Sequence, residues 1–207
     1  MKPKRKKQLM KITSFELVLD EDRYIHGIEL EDVTIKAQYI SRLNLNQSYF
    51  KNVRFEACEF NQIDLSDTTF ENCDLSQLNL AEGVIFRCEF KNCRLTGSDF
   101  GGATIRETVF ESCTGQYSNF SFTRLKNVQF IETKLNDSSF NESELVNVAL
   151  SNCELKQVEL LNSQFKTLDL STCDIEGVML PLNRLNGLCV NSEQAIEVAK
   201  LMGISVV

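Results

Sequence analysis

The sequence holds one histidine, His26, and none of the short signatures of catalytic or nucleotide-binding machinery: no Gly-rich phosphate loop, no GxSxG and no HExxH. Without a base beside a nucleophile, or a converging set of metal ligands, acid–base, nucleophilic and metal-assisted chemistry lack their reagents. The reading is of a protein that is not an enzyme and uses no cofactor. Gly101 and Gly102, the one glycine pair of the repeats, fall at outward turn positions rather than in a phosphate cradle. No apolar run reaches the roughly 18 residues of a membrane-crossing helix. The basic start of the chain is followed by Ile12, Thr13, Ser14, Phe15 and Glu16, too polar for a signal-peptide core, so the expected location is the cytoplasm.

Positive charge is also scarce beyond the first eleven residues. "MKPKRKKQLMK" carries six Lys or Arg and no acid, and since the whole chain is −7, the remainder is −13. That argues against direct nucleic-acid binding by the body, because phosphate contacts need a basic patch. The short basic tail is expected to be solvated. Eight cysteines suggest disulfides or zinc only until their positions are read. Seven (Cys58, Cys73, Cys88, Cys93, Cys113, Cys153, Cys173) fall in one inward column of small residues and read as packing residues; Cys189 lies outside it.

What the sequence does contain is a period. From Ile25 to Leu185, 32 of 33 residues whose number is a multiple of five are Leu, Ile or Phe, and the exception is Gly115. Apolar residues make up 43% of the chain, so chance cannot produce such a column. Five matches neither the helical nor the strand period, so the backbone must turn a corner every five residues, as in a solenoid. Two residues before each large side chain stands a mostly small one, as at Thr68, Ser98, Ala103, Ser118, Ser138 and Ser163. Both columns point inward, and the three intervening polar positions face water.

The segments "FNQIDLSDTTFENCDLSQLNL" (60–80) and "CRLTGSDFGGA" (93–103) resemble the pentapeptide-repeat family over about four fifths of the chain. The resemblance implies an all-β fold, a right-handed quadrilateral β-helix in which four pentapeptides make one square coil. Residues twenty apart would then stack at about 4.8 Å, placing Phe50, Phe70, Phe90, Phe110 and Phe130 on successive floors. The domain reading is a basic tail and lead-in at 1–22, with Phe15, Leu17 and Leu19 alternating like an edge strand, the β-helix at 23–187, and a C-terminal helix with a short strand at 188–207. Where the register fails at Gly115, with bulky Tyr117 and Phe122 nearby, local repacking is expected. "CTGQYSNFSF" (113–122) also resembles a stretch of the quinolone-resistance (Qnr) subgroup, which adds partner contact as a second option.

After Leu185 a helix is predicted. Asn191 or Ser192 caps it, Glu193 sits in its first turn, Gly203 stops it, and Ile204–Val207 form a β-prone tail. Its apolar residues must cover something: either the open solenoid end or a second subunit across a two-fold axis. Gly187, Leu188, Val190, Gln194, Ala195, Gly203 and Ile204 match the end of Qnr-type proteins, with Met202 before Gly203 as a departure. The resemblance implies a homodimer built on Leu188, Val190, Ala195, Ile196, Val198, Ala199, Leu201, Met202, Ile204 and Val206.

Assigning each five-residue box to its face gives a two-sided rod. The face whose core column begins at Leu30 nets −6, with Glu71, Glu89, Glu111, Glu132 and Asp169 among its acids, all expected to be exposed. The face beginning at Ile40 nets −4, through Glu59, Glu82, Asp99, Glu142 and Glu159. The face beginning at Ile25 nets +3. Rows of carboxylates on a narrow rod approximate duplex DNA in width and sign, at lower charge density. Qnr-like proteins bind DNA gyrase and topoisomerase IV, inhibiting supercoiling or relieving quinolone poisoning, so the resemblance implies a DNA-mimicking partner of type II topoisomerases. Several Qnr proteins carry loops needed for drug protection, whereas this register has no insertion. The alternative is a rigid interaction scaffold for an unrelated partner.

Overall fold

The computed structural model describes residues 3–4, 8–15 and 23–206. The chain winds as a parallel β-solenoid of about nine turns, the quadrilateral β-helix expected from the period of five. Each rung pairs with the rung twenty residues later. One eight-stranded parallel sheet runs from Met10–Ile12 through Ile28–Glu31, Tyr49–Lys51, Thr69–Glu71, Glu89–Lys91, Val109–Glu111 and Gln129–Ile131 to Ala149–Ser151. A second, also of eight strands, runs from Tyr24–His26 to Gln164–Phe165. The other two faces are held mostly by single parallel bridges, such as the series Glu59, Asn79, Asp99, Asn119, Ser139, Glu159, apart from the paired strands Thr34–Lys36 and Arg54–Glu56. The lead-in strand expected at Phe15, Leu17 and Leu19 lies outside the described residues except for Phe15, whose buried ring packs 6.1 Å from Phe60.

The corner has a local cause. From Asp32 to Asn162 the residue two positions after each core residue is left-handed, with φ of 48–60° wherever it is not glycine. Asn, Asp and Gly tolerate that region best and recur there, as at Asn52, Asn72, Asn92 and Gly97. Each left-handed residue redirects the chain and leaves the core residue and the small residue before it pointing inward.

Inside, the large column packs as ladders. Rings of Phe50, Phe70, Phe90, Phe110 and Phe130 stack at 4.7–5.1 Å between centroids. Phe100, Phe120 and Phe140 form a second ladder at 4.7–4.8 Å, meeting the first nearly edge-on at 86–87°. Offset stacks and edge-to-face contacts are the two arrangements that ring quadrupoles favour. The small column also satisfies the backbone. Ser98 Oγ donates to Leu75 O at 2.7 Å, Ser118 Oγ to Leu95 O at 2.8 Å, and Cys113 Sγ to Phe90 O at 3.3 Å. Ser, Thr and Cys here are short enough to fit and able to donate, while Ala103 and Val128 in the same column fill space only. At Gly115 the missing side chain is replaced by Leu135, whose Cδ2 lies 3.2 Å from where a Cβ would sit. Repacking is real there, but Tyr117 and Phe122 take no part in it: both point outward, 66% and 62% exposed.

The solenoid ends differently from a clean stop after Leu185. The second sheet stops at Phe165, but Leu168–Asp169 still pairs in parallel with Leu188–Cys189, so the twenty-residue register persists one step further. Pro181 is buried and leads into a 3-10 turn at Leu182–Arg184. Helix α1 (Ser192–Leu201) follows, capped by Asn191, whose side chain accepts from the Glu193 and Gln194 amides at 3.0 Å each. Gln194 Oε1 accepts from the Asn191 amide at 2.8 Å, and its Nε2 donates to Leu170 O (2.9 Å) and Cys173 O (2.6 Å). A polar residue thus anchors the helix to the solenoid end, beside Val198. Ile196, Leu201, Met202, Ile204 and Val206 remain 40–54% exposed, and residues 204–206 form no strand in the single chain.

A candidate protein-binding surface on the acidic faces

Strand alternation turns the residues flanking each core side chain outward, so the acids of one face fall in the flanking and corner columns, two or more rungs apart within a column. The two acidic faces present these acids differently. On the Leu30 face Glu71 is half-buried and accepts from the Tyr49 hydroxyl at 2.7 Å. Glu111 is half-buried, while Glu132, within reach of Ser112 Oγ at 3.4 Å, is exposed. Exposed Asp169 is held below the usual carboxylate range by hydrogen bonds from the side chain and amide of Ser171. Glu89 departs from the expectation of an exposed acid. It is only 6% exposed and lies 3.6 Å from Lys91 Nζ, so it cannot meet a partner directly. Its outward neighbours Thr69 and Val109 are buried too, whereas Gln129 and Ala149 further along are exposed.

The basic tail is not simply solvated at that level. The Lys4 amide donates to Asp67 Oδ1 at 2.9 Å, three rungs up the stack from the strand that begins at Met10. Asp67 is buried and also receives Arg87 through two bonds, Nε at 2.7 Å and Nη2 at 2.6 Å. Burial raises its pKa, but the Arg87 and Lys4 hydrogen bonds outweigh burial and hold the carboxyl below its ordinary range.

The Ile40 face is more open. Glu59, Glu82 and Glu142 are exposed, and Asp99 and Glu159 half-buried. Their hydrogen bonds come from neutral donors: Gln62 to Glu82 (2.8 Å), Asn119 and the Gly101 amide to Asp99 (2.8 Å each), and Asn141 to Glu159 (2.5 Å). Among the described residues none of these five carboxylates pairs with Lys or Arg, whereas Lys11–Glu29, Lys51–Glu31 and Lys91–Glu89 offset charge on the Leu30 face.

The seven column cysteines are buried free thiols and Cys189 is exposed. Burial pushes the Cys88 thiol up to about 12 and raises Cys93 further, so these two stay protonated, whereas the contact with Cys153 lowers Cys173 to about 7 and leaves burial alone to shield it. Among the described residues no group of three His, Cys, Asp or Glu is placed to hold a metal ion, and no helix is long and apolar enough to cross a membrane. Of the expected dimer residues, Leu188, Val190 and Val198 pack partly on the core and Ala199 is half-buried, while Ala195, Ile196, Leu201, Met202, Ile204 and Val206 are exposed. Gln194 was not among the expected anchors. Its signal was the N-x-x-Q spacing from Asn191, a capping box in which polar residues carry the attachment.

A stack of five-residue rungs joined by parallel pairing every twenty residues is the architecture of a repeat solenoid. Comparison with known proteins agrees. The profile of the pentapeptide repeat region matches residues 63–140 and, in an overlapping alignment, 83–156. Residues 63–156 are thus matched as pentapeptide repeats, and the fold is that of pentapeptide-repeat proteins. The uncharacterized protein YisX of Bacillus subtilis (strain 168) is 35% identical over 117 residues, covering 56% of this chain and 55% of YisX. The chain therefore spans about half the length of that curated relative. Full-length QnrB1, a plasmid-mediated fluoroquinolone resistance protein, superposes with a TM-score of 0.52 at 22% identity, over 94% of this chain and 95% of QnrB1. At that identity the likeness concerns the fold.

Proposed function

We propose that the protein is a cytoplasmic DNA mimic that binds a type II topoisomerase, DNA gyrase or topoisomerase IV, and modulates its activity, including its response to quinolones. The observation that carries this reading is the Ile40 face: five carboxylates in two columns along the rod, Glu59, Asp99 and Glu159 beside the core residues and Glu82 and Glu142 at the corner, none paired with Lys or Arg among the described residues. Such a face complements the Lys and Arg that a topoisomerase presents to the DNA backbone. No residue is catalytic; the protein acts by occupying the DNA site, with association steered by charge and weakened by salt. The resemblance to Qnr proteins in 113–122 and after Gly187 supports the choice of partner. It supports also a homodimer through the exposed apolar side of α1, where a second copy covers Ala195, Ile196, Leu201, Met202, Ile204 and Val206. A dimer of about nine turns per subunit makes a rod roughly 80 Å long.

The test is purified protein titrated into gyrase supercoiling and quinolone-cleavage assays. Inhibition or rescue at up to tens of micromolar, corresponding to about −6 to −7 kcal/mol of binding, is the expected result. The absence of inhibition, rescue and binding rejects the reading. Capture of a different protein from lysate, with no topoisomerase bound, would favour an interaction scaffold with an unrelated partner.

A further inference from the structure

Tyr117 and Phe122 are the only aromatic residues in the left-handed corner position among the described residues, each with φ of +60°. That φ is the corner geometry of the repeat, shared with residues such as Arg42 and Gln77; what sets these two positions apart is an aromatic ring where the other corners carry polar or small side chains. Neither ring is used by the core: both belong to the most exposed large apolar side chains of the molecule, and neither joins the Phe ladders. They stand on the two corners that bound the Ile40 face at the level of Phe120.

A second observation concerns the rung below. The residues twenty positions earlier are Gly97 and Gly102, both left-handed. Crowding does not demand glycine there, since an added Cβ would make ordinary contacts of 3.6 Å with Gln77 Cγ and Glu82 Cγ. The absence of a side chain leaves the space beneath each ring open. On the rung above, twenty residues later, stand exposed Asp137 and Glu142. Between the two corners the floor is made of short side chains tied to one another: Asp99 to Asn119 at 2.8 Å, and Ser121 to Ser139 at 2.8 Å. The result is a shallow trough with an aromatic wall on each side, an empty shelf under each wall and carboxylates above and below.

We infer that this trough is the anchor of the acidic surface and that it takes a basic protein segment through arginine, whose planar guanidinium stacks on an aromatic face while its N–H groups reach a neighbouring carboxylate. Lysine, a compact hydrated charge, gains much less from the rings. The inference rests on the proposed function for the identity of the partner, and it names the contacted face: the Ile40 face, with Tyr117 and Phe122 as its hot spot and the long-chain, partly compensated Leu30 face as the lesser contributor.

The test has two arms, with folding of every variant checked by circular dichroism. In the first, an Arg-rich and a Lys-rich peptide of equal length and charge are titrated against the wild-type protein, against Tyr117→Ser/Phe122→Ser, and against Gly97→Gln/Gly102→Gln, which keeps the rings but fills the shelves. The wild type should prefer the Arg peptide by about tenfold, and each double variant should abolish the preference while retaining weak, salt-sensitive binding of both peptides. An equal affinity for the two peptides in the wild type, or a preference that survives in Tyr117→Ser/Phe122→Ser, overturns the inference. In the second arm gyrase replaces the peptides. Binding by the wild type with about tenfold weakening in Tyr117→Ser/Phe122→Ser supports the inference; equal binding by both overturns it while leaving the proposed function standing. A wild type that ignores gyrase rejects that function, and the peptide arm then decides the trough alone.

Discussion

Three of the five residues of a pentapeptide rung have inward or corner tasks, filling the core, occupying the small column or taking the left-handed corner, while the two that flank the core residue turn outward. Phe90 belongs to the first group, fully buried and stacked 5.1 Å from Phe70 and 4.7 Å from Phe110. Phe90→Ala should cost about 3–5 kcal/mol, read from urea midpoints, because neighbouring rungs are locked by backbone pairing and cannot collapse into the gap. The cysteines of the small column should be silent to thiol reagents in the folded protein. Ellman titration should find one reactive thiol, Cys189, before denaturation and all eight afterwards. Asp67 gives a pH signature. Its folded pKa is depressed, so its contribution is present above the unfolded value of about 4 and is lost as pH falls through the folded one. Asp67→Asn should therefore lower stability by about 1–3 kcal/mol at neutral pH, with the difference from wild type shrinking in strong acid; an unchanged difference would separate the effect from the carboxylate.

At the scale of elements, the solenoid was legible in the sequence because every rung repeats one instruction: large inward residue, small residue two before, corner residue two after. The ends were less legible because they depend on single residues. The persistence of pairing at Leu168–Asp169 with Leu188–Cys189 follows the twenty-residue spacing, but Pro181 and the turn after it interrupt the five-residue column that carries the signal. The anchoring of α1 was hidden because burial of a glutamine defeats an apolar-stripe reading; only the carbonyls it meets in space explain it. Glu89 was misplaced because its position in the repeat is an outward one, as are those of the buried Thr69 and Val109 and the exposed Gln129 and Ala149 of the same column, so the repeat alone does not tell them apart. Gln194→Ala should leave the Cys173 carbonyl without its donor, take one of two donors from Leu170 O, which keeps the Cys173 amide, and remove half the capping box, costing about 1–3 kcal/mol. Hydrogen exchange should accelerate in α1 and around Leu170–Cys173 while the Phe ladders stay protected. Equal acceleration along the whole solenoid would mean that the helix is a folding element rather than a terminal cap.

For the whole molecule, shape and charge act together: about nine turns at about 4.8 Å give a rod roughly 40 Å long, with acid on two faces and base on the Ile25 face. The exposed side of α1 predicts a light-scattering mass of about 47 kDa, twice the chain mass of 23.6 kDa, and Ile196→Glu should return it to the monomer without loss of secondary structure. Charge reversal of Glu82 and Glu142 should weaken partner binding more than reversal of Glu71 and Glu132, because the Ile40 face is the uncompensated one. The most direct measurement of the mimicry itself is competition: labelled duplex DNA bound to gyrase, titrated with this protein at increasing salt. The account predicts that the protein displaces the duplex and that its own binding fades as salt rises. Simultaneous binding of DNA and protein, or an affinity indifferent to salt, would contradict it.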